Sequence, residues 1–456
     1  MSRILYPFDV GHYEAYIWAP AELLSSGTNP YRVRYATNTP FVLSAYGALY
    51  YGLVGLGLKT FGLQLWFGRL LSLGAAAVCV LCVGRIVWRI TGRVEAALLA
   101  AAAAMGQFPL QLWVATQRSD LVGLGFSLGG LTLTVEGSDR RDSIDVSMAS
   151  AAVLLGAGFF CRQTLLLPIL AAITVTFCSG RPRRGAFLAL TTGGILAFGV
   201  LVLDLTSEGG YLWQHWTLPQ GIPRSLAGSF RIFVDLVHAP STLVLIAMCA
   251  WFALARRGGG ATGPELPGLA ATVFVYAALA AVFALITASF KGANVNYWLE
   301  ACLVSSMALG ILWERFRLRG GAGRLYCWVV VVLFLASGLS LARFVRGEYF
   351  RWNSLPYYRE LVATLNESVP KGEVCISEYP ELVTAAGLEY HFNDYVQYGD
   401  GRSDMLVNVF REAIASRRYA CLISLDPSPI PGYRLVRMQA PAPMKFRHAY
   451  LHLRDQ

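Results

Sequence analysis

Charge is what this sequence has least of. Asp, Glu, Lys and Arg together make up 14% of its 456 residues, against about 25% in a soluble globular chain. With 55% hydrophobic residues and a mean hydropathy of +0.49, a water-soluble protein is excluded and a polytopic membrane protein remains. Acidic residues are the scarcer sign, 28 against 38 basic ones, for a net charge of +10. In a membrane chain that surplus marks cytoplasmic loops rather than a nucleic-acid surface, so no nucleic-acid partner is expected. There is also no charged stretch followed by an apolar core at the start, and hence no signal-peptide pattern. The nine cysteines show no metal-ligand spacing, since Cys79 and Cys82 lie inside an apolar run. The sequence therefore names no cofactor and assigns no metal ligand, although a divalent ion remains compatible with it. Cys375 and Cys421 alone fall outside apolar segments and are the pair that a disulfide would use in an oxidising compartment. No internal repeat is present.

What is there is a succession of apolar runs near spanning length, about twenty residues each. They fall at about 64–84, 94–112, 119–136, 145–161, 164–178, 186–204, 239–255, 267–290, 298–313 and 325–343. Arginines gather in alternate loops: Arg85, Arg89 and Arg93; Arg140 and Arg141; Arg181, Arg183 and Arg184; Arg256 and Arg257; Arg315, Arg317, Arg319 and Arg324. By the positive-inside bias these loops are cytoplasmic, and residues 1–40, the loops between the other spans and the C-terminal tail are external. The parity works only if the apolar segment 41–61 does not cross. From about 352 the pattern becomes that of a small soluble α/β domain. Helices are expected over 355–368, 381–386 and 404–416, and strands over 373–377, 419–425, 433–438 and 445–453. Three parts result: an external loop 1–40, a helical membrane domain 41–345 and an external α/β domain 352–456.

Three constellations carry chemistry. The stretch Tyr6-Pro7-Phe8-Asp9-Val10-Gly11-His12-Tyr13-Glu14 sets the carboxylates of Asp9 and Glu14 among aromatics, a mixture suited to a sugar. Arg69, Arg118, Arg162 and Lys291 are cations on the external side, against the charge bias. As a group they suit an anionic ligand, because Arg and Lys are the usual phosphate binders. Arg118 precedes Asp120 at the start of a span, and Arg162 sits in a two-residue hairpin. Finally, Asn294-Val295-Asn296-Tyr297-Trp298-Leu299-Glu300 carries amides, aromatics and a carboxylate from loop into helix. Glu300 inside a span is expensive in hydrocarbon and is expected to face a cavity or pair with a cation. His215, in the external loop 205–238, reads more readily as an interfacial histidine than as a catalytic one.

The order of an Asp-bearing first loop, the turn Gly27-Thr28-Asn29-Pro30-Tyr31, the aromatic run Tyr46-Gly47-Ala48-Leu49-Tyr50-Tyr51 and Phe67-Gly68-Arg69-Leu70-Leu71-Ser72 resembles the GT-C class of membrane glycosyltransferases. That class includes the protein mannosyltransferases and aminoarabinose transferases. Arg118-Ser119-Asp120, Phe160-Cys161-Arg162-Gln163-Thr164 and the segment ending at Glu300 are similar to its bacterial branches. The likeness covers about 5–345 and rests on the order of the motifs.

The resemblance implies an all-α polytopic GT-C-like bundle with the small C-terminal α/β domain appended, in the bacterial inner membrane with that domain periplasmic. It implies an inverting hexosyl- or pentosyl-transferase that moves a sugar from a polyprenyl-phosphate carrier to the hydroxyl of a glycan, lipid or protein acceptor. Asp9, with Glu14, would be catalytic, Asp9 as the general base. Arg69, Arg118, Asp120, Arg162, Lys291, Asn296, Tyr297 and Glu300 would bind substrate, the cations holding the phosphate. Relatives carry a transmembrane helix ahead of the Asp-bearing loop; this sequence begins at Met1 without one, which leaves that loop anchored on one side. A transporter or flippase for lipid-linked saccharides, or a non-catalytic scaffold, would use the same cations and aromatics without a base.

Overall fold

The computed structural model describes residues 2–9, 14–137, 144–220, 268–290, 295–317, 355–377, 379–392, 404–416, 418–424, 430–436 and 450–454, with 224, 225, 227 and 232 as isolated positions. The expected spans 239–255 and 325–343 lie outside the described residues.

The first 40 residues are not the open loop that their polarity suggests. They form α1 (Ser2–Leu5), a 3-10 turn (Glu14–Ile17), α2 (Trp18–Ser25) and α3 (Val33–Thr37). Pro20 stands in the first turn of α2, where a missing N–H removes no helical bond. The helix stops because Gly27 takes a positive φ of 82°, and Thr28 N and Gly27 N close back on Leu23 O and Leu24 O at 2.8 and 3.0 Å. This is the paired closure that glycine allows after a C-cap.

Next comes α4 (Ala48–Phe61), with 14 residues. At 1.5 Å per residue it reaches about 21 Å, short of the roughly 30 Å hydrocarbon core. That length is compatible with the charge parity, which asks that this segment not cross. The helical body continues with α5 (Leu65–Thr91), α6 (Val94–Met105), α7 (Phe108–Trp113), α8 (Ser119–Glu136), α9 (Val146–Cys161), α10 (Leu167–Cys178), α11 (Pro182–Thr206), α12 (Gly268–Ala288) and α13 (Leu299–Arg317). The apolar run 94–112 is broken at Gly106-Gln107 into α6 and α7. Between α11 and α12, residues 210–220 are helical with a π turn at Trp213–Thr217. Among the described residues four helices are long and apolar enough to cross a membrane: α5, α11, α12 and Val295–Arg315. Leu190, Phe198 and Leu205 of α11 are each at least 69% exposed, a surface that only lipid tails can cover without cost. The chain is an integral membrane protein.

Residues from Leu355 build the α/β domain, with α14 (Leu355–Ser368), β1 (Val374–Ser377), α15 (Pro380–Ala385), β2 (Glu389–Phe392), α16 (Asp404–Ala415), β3 (Cys421–Ser424), β4 (Tyr433–Val436) and β5 (Tyr450–Arg454). The sheet order is β2-β1-β3-β5-β4. β1 pairs in parallel with β2 and β3, while β5 runs antiparallel to β3 and β4. β2 was not expected from the sequence, because Glu389-Tyr390-His391 lacks the branched apolar residues that mark a strand. Cys375 and Cys421 are register partners on β1 and β3, 4.8 Å apart at Cα, and they form a disulfide.

The α/β domain closes over the N-terminal segment. Tyr6 and Phe8 enter its core beside Tyr358, Leu361 and Leu382, with Phe8 and Tyr358 ring centroids 5.3 Å apart. Ala36, Phe41 and Leu43 pack against Ile376, Tyr419 and Leu422. Phe41 holds a φ of 57°, a strained value for an aromatic residue that this burial maintains. Residues 2–9 and 14–43 are thus a layer between the helical body and the α/β domain.

Candidate functional site

Glu14 and Arg69 form the most deeply buried ion pair of this layer, both side chains being fully shielded. Arg69 Nε and Nη2 donate to the two Glu14 carboxylate oxygens at 2.9 and 2.6 Å. The same guanidinium donates to the carbonyls of Arg3 at 2.9 Å, Ile4 at 3.3 Å and Phe8 at 2.8 Å, and to that of Tyr6. Gln117 completes the cage: its backbone N–H reaches Glu14 Oε1 at 2.6 Å and its side-chain amide reaches the Glu14 carbonyl at 3.1 Å. Gly68 leaves room for the Gln117 side chain, which a Cβ there would meet at 2.2 Å. Five donors on a planar fork suit such a task, and Lys could not replace them. The geometry makes Glu14 and Arg69 the fastening that ties residues 3–8 to α5.

Asp9 is 9% exposed. Its Oδ2 accepts from the Glu14 backbone N–H at 2.6 Å, and its own N–H donates to Glu381 Oε1 at 3.2 Å. Glu381 comes from the first turn of α15 in the α/β domain and is buried. Burial first, and then the Asp9 charge, hold its carboxyl well above the usual carboxylate range. Two carboxyls in a dry site oppose each other's charge. No sequence signal pointed to Glu381, which lies about 370 residues downstream in a short helix whose place in the fold only packing decides.

Beside this lies the cationic cluster. Arg118, at the N-cap of α8, donates to the Tyr46 hydroxyl and stands over the Tyr46 ring at 5.6 Å. Its Nε has no hydrogen-bond partner among the described residues. Burial opposes its charge, but Tyr46, Asp9 and Glu14 more than offset that and raise its pKa. Tyr46 is held in turn by its backbone, the N–H donating to Tyr51 Oη at 3.0 Å and the carbonyl accepting from Tyr31 Oη at 2.6 Å. The neighbouring Gly47 admits this run against α9, since a Cβ there would meet the Phe160 carbonyl at 1.9 Å.

Arg162, at the C-cap of α9, is paired with Asp120, donates to Thr164 Oγ1 at 2.9 Å and lies 5.1 Å over the Tyr297 ring. Asn296 donates to Asp120 at 2.7 Å, which ties the 3-10 turn before α13 to the start of α8. Glu300 accepts from Tyr276 of α12 at 2.8 Å and lies close enough to Arg162 to interact with its charge.

The structure thus brings Asp9, Glu14 and Arg69 together through one set of contacts, with Arg118 near enough to feel the charges of Asp9 and Glu14, and Asp120, Arg162, Asn296, Tyr297 and Glu300 through another. Lys291 and Asn294 lie outside the described residues. Among the described residues no group of three or more His, Cys, Asp and Glu side chains is placed to hold a metal. His215 is enclosed by Tyr31 and Tyr211, with ring centroids at 5.3 and 4.5 Å. Burial lowers its pKa to about 4, so it is neutral. Its two nitrogens meet the Tyr211 carbonyl at 3.0 Å and the Gln163 amide at 2.9 Å, bracing the hairpin that carries Arg162. Tyr46 and Gln117 were also missed as site residues; Tyr46 stood in a recognised aromatic run, but its phenol could not be assigned to a cation without the fold.

No family model matches the chain, and no curated protein matches it. Among solved structures it is similar to ArnT from Cupriavidus metallidurans in the apo state, at 11% identity over 99% of this chain and 95% of that one, with a TM-score of 0.62. It is also similar to the same protein bound to undecaprenyl phosphate, at 11% identity over 98% and 95%, with a TM-score of 0.60. The oligosaccharyltransferase of Archaeoglobus fulgidus matches at 12% identity over 91% of this chain and 64% of that one, with a TM-score of 0.49. The ArnT likeness shows the fold: this chain is folded as ArnT is over nearly its whole length.

Proposed function

We propose that the chain is a membrane glycosyltransferase that takes a sugar from a polyprenyl-phosphate carrier and transfers it to an acceptor hydroxyl on the external face. The observation that carries this reading is Arg118, a guanidinium whose hydrogen bond goes to the phenol of Tyr46, with Nε unpartnered, beside the buried carboxylate Asp9. A cation so placed retains charge for an incoming anion. The ArnT structure that shares the fold holds undecaprenyl phosphate, a lipid anion of this class. The disulfide between β1 and β3 suits an oxidising compartment and supports placing the α/β domain outside.

In this reading Arg118 and Arg162 hold the phosphate, Arg162 kept in place by Asp120, Thr164 and Tyr297. The acceptor oxygen attacks the anomeric carbon as the bond from that carbon to the phosphate oxygen breaks, and the phosphate leaves with its electron pair. Asp9 takes the acceptor proton. Fixed cations that meet developing charge in a dry site supply a large part of such a rate enhancement. An ordinary carboxylate is a weak base, so the hold of Glu14 and Glu381 on Asp9 contributes through orientation. Attack opposite the leaving phosphate inverts the anomeric centre.

The test is Asp9→Asn in nanodiscs. The variant is expected to bind undecaprenyl phosphate as the wild type does, and to release none from undecaprenyl-phosphate sugars in a membrane extract that the wild type consumes. Full transfer by Asp9→Asn would overturn the role of Asp9. A wild type that binds the carrier and never transfers would return the transporter.

A further inference from the structure

A cavity of about 530 Å³ opens between α2 and the β2 edge of the α/β domain, a volume within the range of small-ligand sites. One wall carries Glu22 of α2; the opposite wall carries Thr384 of α15 with Glu389, Tyr390 and His391 of β2. Pro40 and Leu63 provide apolar surface between them. Among the described residues that line it there is no Arg and no Lys.

The polar groups are arranged but not saturated. Glu22 accepts from Tyr390 Oη at 3.1 Å, and partial burial raises its pKa in spite of that bond, as for an anion short of compensation. Glu389 lies 3.7 Å from His391 Nε2 and keeps an exposed side chain. Thr384 Oγ1 is buried with no hydrogen-bond partner among the described residues. Ring faces, two carboxylates and a spare hydroxyl describe a place for a hydroxylated ring, and they repel a phosphate.

Its position matters as much as its lining. Thr384 follows Glu381 by three residues on α15, so the two side chains share a helix face about 4.5 Å apart along the axis. Glu381 holds the Asp9 backbone, and Glu22 lies on the helix that follows the Glu14 turn.

We infer that this cavity is the subsite for the acceptor, and that the acceptor enters it as a neutral or cationic saccharide rather than as an anionic one. The word acceptor rests on the transferase reading; the ligand chemistry rests on the cavity alone. The anionic donor and the uncharged or cationic acceptor would then occupy sites of opposite charge, which prevents each from entering the other's place.

The experiment is saturation-transfer NMR on the full chain in nanodiscs with methyl β-glucoside, glucosamine and glucose 6-phosphate as probes. The first two are expected to bind and the sugar phosphate not to. The double variant Glu22→Gln/Glu389→Gln should weaken glucosamine about tenfold, the scale of one charge-assisted contact, and leave methyl β-glucoside nearly unchanged. Thr384→Trp, which fills the space, should abolish both. If Thr384→Trp does not fold, the glutamine pair carries the test alone, its fold checked by unchanged undecaprenyl phosphate binding. Binding of glucose 6-phosphate as tight as that of glucosamine, or sugar binding untouched by these variants, would overturn the proposal. A wild type that binds these sugars but not undecaprenyl phosphate would sink the donor reading while leaving the cavity's ligand class intact.

Discussion

Two arginines that look alike in the sequence, Arg69 and Arg118, end in opposite electrostatic conditions. Arg69 meets a carboxylate through two bonds and adds backbone carbonyls to satisfy its fork. Arg118 meets a phenol and retains an unpartnered Nε. The first is closed chemistry: no charge is left over for a ligand, and removing either partner strands the other in a dry core. The second is open chemistry: Arg118 feels the charges of Asp9 and Glu14 but gives its hydrogen bond to a phenol and so keeps a donor for a ligand. The comparison separates fastening from binding, which residue type and sidedness could not do.

The largest effect should come from breaking the closed pair. Glu14→Ala or Arg69→Ala leaves a lone buried charge and should cost about 3–5 kcal/mol of stability, read as loss of monodisperse protein or a large fall in thermal midpoint. The double variant Glu14→Gln/Arg69→Met should cost clearly less than the sum of the single changes. Additive losses would show that the pair does not act as a unit.

Arg118→Gln should do the reverse. Thermal stability should change little, while affinity for undecaprenyl phosphate falls about 10- to 100-fold, as expected for one lost bond to a charged group. Equal destabilisation by Arg118→Gln and Arg69→Ala would erase the distinction.

Glu381→Gln sharpens the comparison through pH. A carboxyl whose folded pKa is raised contributes stability that is complete below the ordinary value of about 4.3 and is lost as pH rises toward the raised one. The wild-type midpoint should therefore fall between pH 5 and pH 8, and Glu381→Gln should flatten that slope by about 1–3 kcal/mol. Parallel curves would mean that Glu381 does not titrate against Asp9.

The smallest effect concerns His215, whose pKa is lowered to about 4. The sign is opposite: its stabilising neutrality is complete above the ordinary value of about 6.5 and lost as pH falls toward 4. His215→Gln should remove part of the acid sensitivity below pH 6 in a thermal-shift titration without changing carrier binding at pH 7.5.

Much of the helical body was legible because hydrocarbon imposes one rule, that a spanning segment be long, apolar and internally hydrogen-bonded. The run 119–136 is α8 residue for residue, and 145–161 is α9 within one residue. The amphipathic period of 355–368 likewise gave α14 its bounds. Where that rule does not apply, legibility failed. The first 40 residues read as a loop because their short helices take their stability from burial beneath another domain, and β2 was missed because its residues are held by a neighbouring strand rather than by propensity.

The sequence by itself determined that this is a polytopic membrane protein, which segments are helical in its core, and which charged residues were too costly to be incidental. Those conclusions follow from local composition, since transfer into lipid is scored segment by segment. Only the tertiary structure decided that Glu14 and Arg69 neutralise each other, that Arg118 faces a phenol, that Cys375 bonds Cys421, and that Glu381 reaches Asp9 from the far end of the chain. Each of these is a contact between residues distant in sequence, and whether a buried charge is fastening or function depends on what stands opposite it.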